Sequence, residues 1–235
     1  MSGSPSPSPS PSPSHSPTES GFDREAVRQR LVEAALPHVP FDGWTPETLR
    51  LAAQDAGYEP VMALRVFPRG PIEAVEFWNT LADRRMLEAL ERENVASLKV
   101  RARVTLAVRR RLEAAGAHRE AVRRALGLLA LPHNAPLAAA TLWRTVDAIW
   151  YAAGDTATDF NYYSKRGLLA GVYSATVLYW LDDKSEGQEA TWEFLDRRIA
   201  DVMRVPRLLG SLRERLAGLP NPLRAFVERA RTRTR

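Results

Sequence analysis

The sequence predicts an all-α fold, a bundle of nine to ten helices. Alanine, leucine and arginine are the most frequent residues, and all three favour helices. β-branched residues rarely cluster, and no stretch alternates between apolar and polar residues as a strand would. Apolar residues make up 45% of the 235 positions, which is enough to support a buried core.

The first helices have clear start and stop signals. A helix is predicted from about Asp23 to Leu36, and Pro37 and Pro40 end it because proline cannot continue a helix. Thr45 is a favourable N-cap, and Pro46 suits the first position of the next helix. A short third helix and a long fourth one come after it.

This order of helices is the outline of a helix-turn-helix. The second helix ends at a glycine turn, and a "Phe-Pro-x-Gly" step leads from the short third helix into the long fourth one. The outline resembles the N-terminal domain of TetR-type regulators, on the residues Trp44, Thr45, Leu49, Ala52, Ala56, Gly57, Tyr58, Phe67 and Pro68.

The rest of the chain continues as helices, predicted at about 72–93, 97–115, 118–130, 135–152, 159–182 and 188–205. Between Gly167 and Leu181 the residues are apolar or small on every side, so this helix should be central. Gly167, Gly171 and Ala175 form a stripe that would let two helices approach closely. At about 15 residues the apolar run is short for a membrane span, so a core or dimer helix is favoured.

Composition divides the chain into four segments. Residues 1–20 are a Ser-Pro repeat without the features of a signal peptide, and we expect a disordered tail. Residues 21–70 are the helix-turn-helix-like subdomain, and 71–205 form the main helical domain. Residues 206–235 are basic. From position 204 onward the chain has nine arginines and two glutamates, a net charge of +7. Because the whole chain has a net charge of +5, the part before position 204 has a net charge of −2.

No catalytic or metal-binding constellation is predicted. The chain has no cysteine, and its four histidines lack the spacing of metal ligands. There is no phosphate-binding glycine loop and no nucleophile elbow. Asp147, Asp155 and Asp159 could suggest an acid–base pair, but for Asp155 and Asp159 helix capping is the commoner use. We therefore expect a protein that is not an enzyme and needs no cofactor.

Two adjacent tyrosines suggest a recognition surface. Neighbouring residues on a helix point about 100° apart, so Tyr162 and Tyr163 cannot both face one core. Their neighbours Asn161, Lys165 and Arg166 give the stretch the composition of an interaction patch. Packing remains an equal alternative from the residues alone.

The C-terminal segment has the pattern of a basic amphipathic helix. Leucines fall on one face with arginines beside them, which is typical of a helix on a membrane surface. The alternative is a helix docked on its own domain. The residues predicted to bind the membrane are Leu208, Leu209, Leu212, Arg213 and Leu216.

The polar and aromatic stretch that opens the helix predicted at 159–182 resembles a known family. Gly154-Asp155-Thr156, Thr158 to Asn161, Tyr163 and Arg166 are similar to the coenzyme Q biosynthesis accessory family Coq-nine. The similarity extends from about Arg28 to Met203. It implies a TetR-like fold that binds isoprenoid lipids in an apolar cavity. It also implies a non-catalytic partner of the di-iron demethoxyubiquinone hydroxylase, presenting a ubiquinone precursor to it at the membrane, and a homodimer.

The resemblance also implies residue roles. Asp159, Tyr162, Tyr163 and Arg166 are expected to bind the hydroxylase, although Tyr162 stands where related members have tryptophan. The residues expected to bind lipid are Trp143, Trp150, Leu168, Leu169, Val172 and Tyr173.

Location is expected at the cytoplasmic face of a bacterial inner membrane. Mitochondrial members have transit peptides, and the arginine-poor N-terminus does not resemble one. The alternative is the matrix side of the mitochondrial inner membrane.

A TetR-like DNA-binding regulator is the alternative function. Between Gly21 and Pro68 five arginines face seven acids, a net of −2. Since DNA binding depends on neutralising phosphates, this charge favours a protein that does not bind nucleic acid.

Removing residues 206–235 is expected to weaken binding to vesicles of anionic lipid. Each arginine near such a surface contributes up to about 1 kcal/mol, and the leucines add apolar insertion. Flotation of the full chain beside a chain that ends at residue 205 measures the effect, and equal flotation would contradict the membrane assignment.

Overall fold

The computed structural model describes residues 23–93, 95–155 and 160–202. Ten helices and no strand are found in these ranges, which confirms the all-α class. The predicted tail 1–20 and the basic segment 206–235 lie outside them.

The helices follow the predicted order closely. Short 3-10 turns precede four of them, at Val95–Ser97, Gly116–His118, Pro132–Asn134 and Glu186–Gln188. The helices are α1 Arg24–Ala35, α2 Val39–Asp42, α3 Pro46–Asp55, α4 Val61–Val66, α5 Pro71–Arg92, α6 Val100–Glu113, α7 Arg119–Leu129, α8 Ala135–Ala152, α9 Phe160–Asp182 and α10 189–202.

Local capping explains where the first helices begin. Asp23 accepts hydrogen bonds from the backbone N–H groups of Glu25 and Ala26, which opens α1. Thr45 accepts one from the N–H of Thr48, so its predicted role as the N-cap of α3 is confirmed. The one-turn helix α2 was not predicted. Pro40 lies in its first turn, where the missing N–H has no helical partner to lose.

Two apolar clusters, both touched by α5, form the core. The first joins α1, α3, α4 and the first half of α5, with Ala121 and Ala125 of α7. The second joins the last part of α5 to α6, α8, α9 and α10. Trp44 ties the first cluster to α7, because its indole N–H donates to the carbonyl of Ala121 at 3.1 Å.

The central helix α9 has one buried side and one exposed side. Its buried residues include Leu169, Val172, Thr176, Val177 and Trp180. The predicted stripe of small residues is not part of this buried side. Its glycines Gly167 and Gly171 are exposed, and a Cβ atom at either position would meet no atom of another helix within 4 Å. These two glycines of the stripe therefore leave an open surface on this chain.

The turn from α9 to α10 is organised by Asp183. Its carboxylate accepts hydrogen bonds from the backbone N–H and hydroxyl of both Ser185 and Thr191. Burial opposes ionisation, but these four bonds outweigh it and hold the pKa of Asp183 well below its usual range.

Within the described residues, no single helix combines the length and apolar character of a membrane span. The bent pair Gly116–Leu129 and Pro132–Ala152, which meet at 93°, satisfies both criteria together.

Candidate functional site

An aromatic patch lies where the start of α9 meets α8. We define it by Trp143, Tyr162 and Tyr163. The rings of Trp143 and Tyr163 are stacked with centroids 6.1 Å apart, and the two tyrosine rings meet edge to face at 5.1 Å. Tyr163 is 64% exposed, whereas Tyr162 is half-buried. The expectation that the two tyrosines do not share one core is confirmed.

Arg166 holds the patch from below. Its side chain is only 4% exposed, and its guanidinium lies 3.4 Å from the centroid of the Tyr162 ring. Its Nε donates to Asp147 at 2.6 Å, and one Nη donates to Asp155 at 3.3 Å. Lys165 also pairs with Asp155, at 2.7 Å. Arg166 is thus a support for the patch rather than part of its exposed face.

Asp147 links the two helices at this point. Its Oδ1 accepts the hydroxyl hydrogen of Tyr162 at 3.0 Å as well as the Arg166 bond. The hydrogen bond to this carboxylate raises the pKa of Tyr162, because it stabilises the protonated phenol. Of the four residues predicted for partner binding, Asp159 lies outside the described residues.

Sequence reasoning did not assign Trp143 and Asp147 to this patch. The two residues are four positions apart, so they lie on the same face of α8, and this spacing could have predicted that they belong to one surface. The sequence does not indicate which face of α8 would meet the start of α9.

The second feature is a cavity of about 390 Å³ enclosed by α5, α6, α7, α8 and α9. Most of its wall is apolar, and a smaller polar part comes from four of these helices. The apolar lining is Trp78, Ala82, Leu112, Ala115, Val122, Ala125, Leu126, Leu129, Ala130, Ala138, Leu142, Val177, Leu178 and Trp180; the polar lining is Asn79, Arg111, Thr141, Thr145, Tyr173 and Ser174.

The six residues predicted to bind lipid are spread over different environments. Tyr173 lines the cavity. Trp150, Leu169 and Val172 are buried in the second apolar cluster, and the Trp150 indole donates to the carbonyl of Lys165 at 3.2 Å. Trp143 belongs to the aromatic patch, and Leu168 is half-buried on α9.

A buried polar cluster forms one end of the cavity. Arg111 donates from Nε to Asp83 at 2.8 Å and from Nη2 to the side-chain oxygen of Asn79 at 3.0 Å. Thr145 donates to the same carboxylate at 3.0 Å. Burial raises the pKa of Tyr173, whose phenol therefore stays protonated at neutral pH. The arrangement provides fixed hydrogen-bond donors beside an apolar chamber, which suits binding.

Most arginines of the helix-turn-helix-like part form contacts with other residues of the chain. Arg24 donates to the carbonyl of Val66 and Arg30 to the hydroxyl of Tyr58, at 3.1 and 3.2 Å. Arg28 binds Glu73 at 2.9 Å, and Arg50 pairs with Glu47. Four of the five arginines in this part therefore contact protein groups, and the ion pairs of Arg28 and Arg50 offset part of the positive charge that a phosphate backbone would meet.

Comparison with known proteins identifies relatives for most of the chain. Residues 135–206 match the family model described as COQ9, the Coq-nine family. The chain is 35% identical over 190 residues to "Ubiquinone biosynthesis protein COQ9, mitochondrial" of Drosophila melanogaster, which covers 79% of this chain and 58% of that protein. The protein of the same name from Homo sapiens is 35% identical over 186 residues, covering 76% and 58%. The chain therefore spans less than two thirds of the length of these relatives.

The fold has a counterpart among solved structures. A TetR transcriptional regulator from Nitrosomonas europaea ATCC 19718 superposes with a TM-score of 0.62, covering 76% of this chain and 98% of that one at 21% identity. This likeness confirms the predicted TetR-like fold and, at that identity, concerns the fold alone.

Replacing Arg166 by methionine is expected to lower the free energy of unfolding by about 1–3 kcal/mol, since Arg166 is itself buried and both Asp147 and Asp155 lose an ion-pair partner. Denaturant unfolding followed by circular dichroism measures the loss. Lys165→Met is the matched control: this side chain is 38% exposed, so its ion pair with Asp155 should contribute less than about 1 kcal/mol. Equal losses in both variants would contradict a supporting role specific to Arg166.

Proposed function

Because this chain belongs to the COQ9 family, we propose that it is a non-catalytic, lipid-binding accessory protein of ubiquinone biosynthesis. It binds a quinone intermediate or another isoprenoid lipid and presents that lipid to the di-iron demethoxyubiquinone hydroxylase at a membrane. The cavity enclosed by α5 to α9 is the observation that carries this proposal.

The cavity has the size and lining of a site for a small apolar ligand. Its volume of about 390 Å³ falls in the range of about 300–1,000 Å³ that is typical of ligand pockets. Ala130 and Leu178 are exposed lining residues, and they mark its mouth. A ring and the first part of an isoprenoid tail would occupy the chamber, and the rest of a long tail would lie outside the mouth.

Filling the cavity should reduce the lipid that copurifies with the protein. Ala138 is half-buried and lines the cavity, so Ala138→Trp would place an indole in the space of the ligand. We expect a severalfold loss of isoprenoid lipid extracted from the purified protein, measured by mass spectrometry.

Ala139→Trp is the matched control, because Ala139 is the exposed neighbour on the same helix and lies outside the cavity lining. The proposal fails if no isoprenoid or quinone lipid is extracted from the unaltered chain. It also fails if both variants retain as much lipid as that chain.

The aromatic patch is the surface we propose for the hydroxylase. Exposed aromatic side chains over a rigid base are typical anchors of protein interfaces. Tyr163 offers the exposed ring, and Trp143, which is 37% exposed, extends the surface. Arg166 and Asp147 fix the position of Tyr162 beside them. Asp159 is proposed to belong to the same surface.

Tyr163→Ala is expected to weaken binding to the hydroxylase at least tenfold, the effect of losing an interface anchor. The Tyr163 side chain has no hydrogen bond to lose in the described structure, so the fold should persist. A pull-down or titration with the purified hydroxylase measures binding, and circular dichroism checks helicity.

The control is Phe41→Ala, which removes a ring that is 84% exposed on α2. Equal binding by Tyr163→Ala, Phe41→Ala and the unaltered chain would show that the patch is not the docking surface.

Membrane attachment is proposed for the basic segment 206–235, and the proposed location depends on it. The names of the curated relatives support the mitochondrial alternative, with the chain on the matrix side of the inner membrane. The bacterial location stays a prediction. We also propose a homodimer that pairs through the stripe of Gly167, Gly171 and Ala175, and sedimentation velocity tests that pairing.

A further inference from the structure

The cavity wall includes buried polar residues, and its most exposed lining residues are apolar. Arg111, Thr141 and Thr145 line the buried end and are 5%, 6% and 2% exposed. At the mouth, Leu178 is 61% exposed, and Ala130 is exposed beside it. A ligand that enters beside Leu178 and Ala130 would meet apolar side chains first and the buried hydrogen-bonding groups of Arg111 and Thr141 further in.

Arg111 keeps donor capacity that the protein does not use. Its Nε is bound to Asp83 and its Nη2 to Asn79. Within the described ranges its hydrogen bonds come from Nε and Nη2, the latter also to the carbonyl of Asn79 at 3.4 Å, and none comes from Nη1. Since Arg111 lines the cavity, the remaining N–H groups are available to a cavity ligand.

Two hydroxyl groups of the cavity wall also have no hydrogen-bond partner within the described residues. The Oγ1 of Thr141 is fully buried and has no hydrogen-bond partner in the described part of the chain. The hydroxyl of Tyr173 forms no hydrogen bond there either, and it interacts electrostatically with both Arg111 and Asp83. Thr141 lies one helical turn from Thr145, the residue that donates to Asp83. All three unmet donors thus belong to the polar end of the cavity.

The charge of this end is balanced. Asp83 forms an ion pair with Arg111 at 2.8 Å, and both side chains are less than 10% exposed. Arg144 approaches the same carboxylate at 3.9 Å and also Glu76 at 3.8 Å. With these acids present, the polar end offers hydrogen-bond donors without a surplus positive charge. It suits uncharged oxygen acceptors better than a phosphate or carboxylate head.

We infer that the cavity takes its lipid with the oxygen-bearing ring innermost, and that Arg111, Thr141 and Tyr173 donate hydrogen bonds to the ring oxygens. The apolar tail then runs past α7 to the mouth. This inference rests on the proposed lipid-binding function and adds to it the class of head group, an uncharged oxygenated ring, and the direction in which the ligand lies. Arg111 has a second role, because its ion pair with Asp83 also supports the fold. For Thr141 and Tyr173, ligand specificity is the only role that we expect.

The test compares two probes that share a tail and differ in ring oxygens. The full chain is incubated with vesicles that contain equal amounts of decylubiquinone and decylbenzene, then isolated again, and both bound probes are quantified by mass spectrometry. The variants are Thr141→Val and Tyr173→Phe. Both keep the shape of the side chain and remove a hydroxyl that has no hydrogen-bond partner in the described residues, so folding should be retained.

Thr105→Val is the matched control. Its hydroxyl is likewise buried and without a partner in the described structure, but Thr105 lies on α6 outside the cavity lining. We expect the unaltered chain and this control to retain decylubiquinone in preference to decylbenzene. Each cavity variant should retain about fivefold less decylubiquinone, the effect of one hydrogen bond, with decylbenzene unchanged.

Three results would overturn the inference. Equal retention of both probes by the unaltered chain would show that the polar end does not select oxygen, although lipid binding itself would stand. Equal losses of both probes in the cavity variants would show that the two hydroxyls affect only the packing of the cavity wall and do not bind the ring oxygens. Retention of neither probe would overturn the lipid-binding proposal together with this inference.

Discussion

The buried ion pair between Asp83 and Arg111 constrains the surrounding helices, because they must keep the two charged side chains in contact. Both side chains are buried, and an unpaired charge at either position would be strongly destabilising. The pair joins α5 to α6, and Thr145 and Asn79 add hydrogen bonds to it from α8 and α5. The three helices are thereby held at fixed spacing around a polar centre. The chamber lies beside this centre, and collapse of the helices into it would disturb that network.

The chain has the fold of a TetR transcriptional regulator, with a cavity in its main helical domain. The TetR-like arrangement supplies the chamber between α5 and α9, and the first four helices pack as a compact support for it. Their arginines contact Glu73, Glu47, Tyr58 and the carbonyl of Val66. Helices α8 and α9 contribute to both the aromatic patch and the cavity wall.

Sequence reasoning predicted the helices well because their signals are local. Asp23, Thr45 and Pro46 act within one turn of where they stand, so their effect can be predicted without a fold. The cavity wall could not be predicted in the same way. Ala125 and Leu126 show the apolar spacing of any core helix, and only the tertiary packing decides that they border a space. Trp150 and Leu169 illustrate the converse, since both were expected to bind lipid and lie in the second apolar cluster, where the sequence alone could not place them.

Helix α9 contributes to both functional features as one rigid rod. Tyr162 and Tyr163 lie in its first turn, and Tyr173 lines the cavity about 15 Å further along the axis. A protein that displaces the start of this rod also displaces a wall of the chamber. The two proposed binding events would then share one helix, and any coupling between their free energies would have equal size in both directions. A docked partner that opens the chamber would loosen the lipid, and by the same amount a bound lipid would weaken that docking.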